Sequence, residues 1–519
     1  MDVVKDAEGQ NLPDVRVRAT TSSEDMPQGL ACLIEEELEP CSLVIFGASG
    51  HLTSGKLVPA LFSLYVYGVL PSRTLILGCA RSQMDDESFR SKMEEAVLSL
   101  PHYHPDKWAE FREMLFYLPI EYGSLDSLKA LETKLSLLEG LEHRRGRLLY
   151  LAIPPSLYSL CIEAIGRSGL SRPEAQQVLW TRIVIEKPFG RDLKSAVELD
   201  GLVHKFFQEE QIFRIDHYLA KETVQNILMF RFANAIFEPI WNRQYIDHVS
   251  IFAMESEGVG ERAGYYEEAG VFRDMFQNHM MQLLALTAME PPAKFDPDRV
   301  RDEKVKVYRE LRPFPLEELG SHLVLGQYTR GLVEGREVPG YREEPGVAHD
   351  SLTPTYAKMK VFVDNWRWQG VPFYLASGKR LAKKVTQIVV QFKGVPHTVF
   401  REVIGEEIAP NRLILGIYPE EKITMTFQTK RPGAKVCLRT VTMDFHYNEG
   451  YGGPVLEAYE KVLLDCMLGD QMLFWRQDGV ELSWAFLTPV VEECETCANR
   501  AQRLKFYRAG SWGPELPGL

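Results

Sequence analysis

Long apolar runs are absent. A helix needs about 20 consecutive apolar residues to cross a bilayer, and no stretch of the sequence supplies them. The opening MDVVKDAEGQ has no apolar core, so no secretory leader is expected and the chain reads as cytoplasmic. Cysteine is sparse: 8 in 519 residues, scattered at Cys32, Cys41, Cys79, Cys161, Cys437, Cys466, Cys494 and Cys497. That usage excludes a disulfide-stapled scaffold and points to reduced thiols. The one CxxC, Cys494 to Cys497, has no second pair and no nearby histidine, so no metal site is expected. Net positive charge is missing too. Lys and Arg number 59 against 72 Asp and Glu, a net charge of −13, which argues against nucleic acid or an anionic membrane as partner. An anionic ligand must then be met by a local cluster of basic side chains.

What is present is ordinary globular usage, 45% hydrophobic and 25% charged, in a chain long enough for two or three domains at roughly 150 residues each. Residues 1–40 are polar and acidic and read as a flexible extension. Strand-like runs follow at CSLVIF (from Cys41), RTLILGCARS (from Arg73), LLYLAIPPSLY (from Leu148) and RIVIEKPFG (from Arg182). Helix-like segments separate them, one of them from Leu57 to Val66. This alternation predicts an α/β Rossmann-type dinucleotide-binding domain over residues 41–213. Beyond it, DHVSIFAMES, KVTQIVVQF, NRLILGIYP, KITMTFQ and RTVTMDFHY are β-rich and share the region with helical stretches such as VFRDMFQNHMMQLLALTAM. That texture predicts a large α+β domain over 214–519 with a mostly antiparallel sheet.

The first strand ends in Gly47-Ala48-Ser49-Gly50-His51-Leu52-Thr53-Ser54-Gly55-Lys56. Glycines let the backbone turn tightly beside a phosphate, and a following helix offers free N–H groups. The spacing is not GxGxxG. Gly50 to Lys56 also fits the GxxxxGK of a phosphate loop, which leaves a phosphoryl-transfer enzyme as a rival. Against it, Leu57 stands where that motif needs a magnesium-binding Ser or Thr. The second strand ends in Cys79-Ala80-Arg81-Ser82 rather than in an acidic residue, so a 2′-phosphate, and with it NADP, is favoured over NAD. Asp85 and Asp86 nearby weaken that case.

FRIDHYLAK, Phe213 to Lys221, places His217 and Lys221 four apart. On a helix they share a face with Tyr218 beside them, a set able to grip a phosphate dianion and equally readable as a solvated surface. By the same spacing His279 falls beside Met275, Phe276 and Leu283, the position of a packed core histidine.

FRIDHYLAKETVQN and FRFANAIFEPIWN resemble the substrate-site segment of the glucose-6-phosphate dehydrogenase family, as do GASG-L, YLAIPPSLY, IEKPFGRD, RDMFQNH, VPFYLASGK and EAYEKVLLD, in the family's order. The resemblance runs from about Cys41 to near the C-terminus. It implies oxidation of glucose 6-phosphate at C1 to the lactone, with hydride passing to NADP, as the first step of the pentose phosphate pathway. It implies His279 as general base with Asp216 orienting it, and His217, Tyr218 and Lys221 on the phosphate. It further implies Lys187 between coenzyme and sugar, Glu255 and Asp274 on the sugar hydroxyls, and Lys379 with Lys383 or Lys384 as further substrate cations. On the coenzyme side it implies Gly47, Ser49, Gly50, Lys56, Arg81, Ser82 and Lys187. It also implies a homodimer or homotetramer built through the large sheet. Departures from the family pattern are His51 in place of Asp, Ala220 in place of Gly, and Tyr418 in place of Gln before Pro419. Gly416 and Thr426 stand where animal members carry basic residues for a second NADP, so that second site is not expected. The departures keep open a non-catalytic relative that retained the fold as a binding protein.

Overall fold

The computed structural model describes residues 38–71, 73–140, 145–172, 178–216, 218–219, 221–400, 408–433, 437–446 and 456–516. His217, Ala220, Cys32 and nearly all of the expected N-terminal extension lie outside the described residues.

The first sheet holds β1 (Cys41–Phe46), β2 (Leu75–Ala80), β3 (Leu115–Pro119), β4 (Gly146–Leu151), β5 (Thr181–Ile185) and β6 (Ile212–Arg214). They run all parallel in the order β3-β2-β1-β4-β5-β6. The period of two along β1 explains the two-sided burial. Val44 and Phe46 join the core under the helices Leu125–Glu139 and Tyr158–Ser168, while Leu43 and Ile45 face the helix Val58–Val66. The chain returns late to cover that second face. Val462, Leu463, Leu464, Cys466 and Met467 of the helix Ala458–Leu468 pack in the same cluster as Leu43 and Ile45.

The second sheet comprises β7 (Ile246–Met254), β8 (Leu323–Thr329), β11 (Tyr356–Phe362), β12 (Pro372–Gly378), β13 (Val385–Phe392), β14 (Arg412–Tyr418), β15 (Lys422–Lys430), β16 (Leu438–His446) and β17 (Leu504–Arg508); β9 (Gly331–Val333) and β10 (Arg336–Val338) form a separate hairpin. The order is β16-β15-β14-β13-β7-β12-β11-β8-β17, antiparallel except for β7 with β12 and β8 with β17. The helices Phe272–Ala288 and Gln477–Thr496 lie in the core between the sheets, so the apolar interior is continuous across both.

Both expected classes of sheet are therefore present, with corrections in detail. β3, β6, β8, β11, β12 and β17 were not separable from their surroundings by periodicity; β6 has only three residues. The helix expected from Leu57 starts at His51, with a π-helical stretch over Thr53–Leu57. None of the described residues of FRIDHYLAK is helical. Its first residues finish β6, and Lys221, at φ −73° and ψ 133°, is the extended cap before the helix Glu222–Phe232. The four-residue spacing of His217 and Lys221 thus says nothing about a shared face.

Candidate active site

The functional side chains gather at the carboxyl ends of the parallel strands, where doubly wound sheets bind their ligands. Asp216 stands two residues past β6 and Lys187 two past β5. His279 comes to them from Phe272–Met280, a π-helical stretch. It is buried there, as are Met275, Phe276 and Leu283, but polar partners from other elements reach its ring.

His279 is 1% exposed, and its Nδ1 lies 2.5 Å from Asp216 Oδ1. Its Nε2 lies 2.9 Å from Lys187 Nζ. An ammonium can only donate, so Nε2 must accept and Nδ1 must carry the proton given to Asp216. The ring of Tyr218 stacks on the imidazole at 3.9 Å. Burial holds the His279 pKa below the ordinary histidine value; Asp216 pulls it up and the Lys187 cation pushes it further down. The result is a neutral imidazole whose one lone pair faces the Lys187 ammonium, the state a general base requires at neutral pH.

Asp274 lies on the same π-helical stretch and organises the next shell. Its backbone oxygen accepts from Lys187 Nζ at 2.9 Å, and its carboxylate lies 3.5 Å from Lys187, 3.4 Å from Lys379 and 3.6 Å from Arg262. Burial alone would raise the Asp274 pKa, but these cations hold it well below the usual carboxylate range. Lys379 also donates to Glu255 at 2.5 Å. Burial opposes the Lys379 charge, and Asp274 and Glu255 together raise its pKa. Two carboxylates already turned toward cationic side chains are strong acceptors for sugar hydroxyls.

A basic patch adjoins the dyad. Lys221 Nζ sits 4.5 Å over the Tyr218 ring and 5.0 Å over Tyr418, and Lys384 Nζ lies 5.3 Å over Tyr418. Lys384 donates to Glu257 at 2.9 Å, while Lys383 is exposed. Burial, reinforced by the like charge of Lys384, pulls the Lys221 pKa below the lysine range. An arriving dianion would relieve both penalties, as a phosphate site in an acidic chain demands.

At the other side of the cleft, β1 lies between β2 and β4, the switch point of the sheet. Gly47 turns at φ +95°, and a Cβ there would stand 2.1 Å from the Ala152 oxygen, so only glycine fits. The turn is pinned by Gly47 and Ala48 N–H groups on the Cys79 oxygen and by Lys92 Nζ on the Ser49 oxygen at 2.7 Å. Ser49 and Ser82 hydroxyls meet at 3.1 Å, and Gly50, Lys56 and Arg81 are exposed. Neither nearby carboxylate competes for a ligand. Asp85 caps the helix Asp86–Val97, and Asp86 binds the Tyr117 amide and Lys134. The phosphate-loop rival fails here: the helix begins already at His51, so the stretch from Gly50 to Lys56 is not an open loop able to wrap a triphosphate, and Leu57 offers no hydroxyl for magnesium.

Two family models match the chain, the glucose-6-phosphate dehydrogenase NAD binding domain over residues 44–226 and the glucose-6-phosphate dehydrogenase C-terminal domain over 228–517. The chain belongs to the glucose-6-phosphate dehydrogenase family. It is 45% identical over 479 residues to glucose-6-phosphate 1-dehydrogenase of Aggregatibacter actinomycetemcomitans, covering 92% of this chain and 94% of that one. To the enzyme of Chlamydia pneumoniae it is 44% identical over 482 residues, covering 92% and 93%. A solved glucose-6-phosphate dehydrogenase in complex with its substrate glucose-6-phosphate superposes with a TM-score of 0.83 at 34% identity, over 92% of this chain and 96% of that one. The enzyme from Mycobacterium avium gives 0.76 at 30% identity, again over 92% and 96%.

Within this glucose-6-phosphate dehydrogenase fold, several site residues escaped the sequence reading. Arg262 reaches Asp274, Glu257 holds Lys384, and Tyr418 lies under two lysines. Arg262 and Glu257 look like any surface charge in sequence. Tyr418 was visible only as a departure from the family pattern. His51 is exposed at the start of its helix and Gly416 lies in β14. Among the described residues no group of three or more His, Cys, Asp or Glu is placed to hold a metal ion.

Proposed function

We infer that the chain oxidises glucose 6-phosphate at C1 to 6-phosphoglucono-lactone as an NADP-dependent dehydrogenase of the pentose phosphate pathway. The observation that carries this is the buried Asp216–His279 pair whose outer nitrogen faces Lys187 beside a cluster of basic side chains.

The coenzyme fits the residues present. The glycine turn, the Ser49 and Ser82 hydroxyls and exposed Arg81 all stand at the switch point, and the nearby Asp85 and Asp86 are already hydrogen-bonded. Gly47, Ser49, Gly50, Lys56, Arg81, Ser82 and Lys187 would hold it. When bound, NADP supplies the acceptor for the hydride leaving C1. In this proposal His279 Nε2 takes the proton of the C1 hydroxyl, and C1 and its oxygen are left as the lactone carbonyl. Asp216 keeps the ring in the tautomer with its lone pair outward and stabilises the imidazolium. Lys187 must yield Nε2 to the substrate and then faces its C1 oxygen. Asp274, Glu255 and Lys379 orient the sugar, and Tyr218, Lys221 and Lys384, with His217, take the phosphate.

The chain divides, in this proposal, into coenzyme-binding residues 41–213 and a substrate-binding and oligomerisation part from 214 on. It acts in the cytoplasm as a homodimer or homotetramer through the large sheet. No helix among the described residues is long and apolar enough to cross a membrane.

Coenzyme choice gives the direct test. A charge-assisted contact is worth about 1.5–3 kcal/mol, less where exposed, so Arg81→Ala should weaken NADP by about tenfold or more and leave NAD nearly unchanged. The ratio of kcat/KM for the two coenzymes, followed at 340 nm with glucose 6-phosphate, reads it. Equal losses for both would remove Arg81 from the 2′-phosphate.

A further inference from the structure

Lys304 is a lysine with nothing to do in the account above. It lies on the helix Pro297–Arg309, is 3% exposed, and its Nζ has no hydrogen-bond partner. An unpartnered buried ammonium is costly, so its retention calls for a charge that holds it.

Its surroundings place it behind the Asp216–His279 pair. Tyr308 is one helical turn on and shares its face. The Tyr308 hydroxyl donates to Gln282 Oε1 at 3.5 Å, on the helix that continues directly from His279. Tyr308 also stacks on Trp475 at 5.5 Å, and the Trp475 amide donates to the Arg214 oxygen at 3.1 Å, two residues before Asp216. The face that carries Lys304 is therefore wedged between the segment bearing Asp216 and the helix bearing His279. The charges that act on Lys304 are those of Arg301 on its own helix, Asp216, and Arg476 before the helix Gln477–Thr496. Both arginines are already paired, Arg301 with Asp298 and Arg476 with Asp302 and Asp478. Asp216 is left as the attracting charge. Around His279 the charged groups are Asp216, Lys187 and Asp274, with Tyr218 on the ring.

We propose that Lys304 is a positioning residue for the oxidation: its buried ammonium balances Asp216 from the side opposite the substrate and so sets how strongly Asp216 draws a proton onto His279. This rests on the dyad assigned above. With Lys304 charged, Asp216 is partly compensated and His279 stays an unprotonated base in mild acid. Burial lowers the Lys304 pKa to about 7, with Arg301 adding to the effect, so it carries its charge across the acid range in which His279 titrates.

The test is the pH profile of kcat/KM for Lys304→Met and Lys304→Gln, which remove the charge and keep most of the volume, beside Lys304→Arg. Loss of the cation raises the His279 pKa, so the acid limb should move up by about one unit in both neutral variants, with kcat/KM down about tenfold at pH values well below the wild-type limb, little changed on the alkaline plateau, and KM for glucose 6-phosphate on that plateau within about threefold. Lys304→Arg should keep the wild-type limb. The same displacement should show in the Cε1 proton resonance of His279, assigned by its absence in His279→Asn. A folded neutral variant with the wild-type limb and resonance overturns the proposal, as does failure of both neutral variants to fold while Lys304→Arg matches wild type throughout. If His279→Asn itself keeps wild-type turnover, the dyad reading has failed rather than the role of Lys304.

Discussion

Replacing His279 by Asn should lower kcat by about 10²–10⁴-fold and leave the affinity for glucose 6-phosphate nearly intact. In the proposed mechanism the base acts on the C1 hydroxyl, whereas ground-state binding is assigned to Lys221, Lys384 and the carboxylates of Glu255 and Asp274, which the substitution does not replace. Asp216→Asn should also slow kcat, because an amide neither fixes the Nδ1–H tautomer nor stabilises the imidazolium. Since the two residues are joined by one hydrogen bond, the double variant should be little slower than His279→Asn alone. The pH profile adds a sign. The folded-state pKa of His279 is depressed by burial and Lys187, so the acid limb of kcat/KM should fall below pH about 6.5. A core histidine would behave otherwise: the variant would melt earlier, and its folded fraction would turn over at the normal rate.

Lys221→Ala should show the opposite kinetic signature. Removing one charge-assisted contact to a phosphate costs about 1.5–3 kcal/mol, a rise in KM of about 10–150-fold, with kcat at saturation changed far less. Unphosphorylated glucose never uses the contact, so its slow oxidation should be almost unaffected. Steady-state kinetics on both sugars separate the outcomes, and equal damage to both would show that Lys221 supports the fold of the cap before Glu222–Phe232 rather than the ligand. Lys384→Ala should act in the same direction but more weakly, because Lys384 is more exposed and shares its charge with Glu257.

Much of this architecture was legible because the sequence signals were local. CSLVIF announced a strand buried on both faces, and the β-rich runs from DHVSIFAMES to RTVTMDFHY announced an antiparallel sheet. What was not legible depended on tertiary contacts. β6 is three residues long and is defined by its pairing with β5, not by its own pattern. His279 read as a packed core histidine and it is buried; its pairing with Asp216, 63 residues away in sequence, leaves no local pattern. Where a helical FRIDHYLAK face was expected, Lys221 is an extended cap that lies over two tyrosine rings. Lys304 carried no signal at all, since burial of a lysine between distant segments leaves no periodic trace. Family resemblance named the candidate residues of the site; their arrangement left no trace in the sequence.

The most direct measurement follows the hydrogen that the account moves. Purified protein is mixed with NADP and glucose 6-phosphate carrying deuterium at C1, absorbance at 340 nm is followed, and the reduced coenzyme is analysed by mass spectrometry. The account predicts a rise at 340 nm, one deuterium in each reduced coenzyme, and lactone or its hydrolysis product in equal amount. No rise at 340 nm, or reduced coenzyme without deuterium, would contradict it.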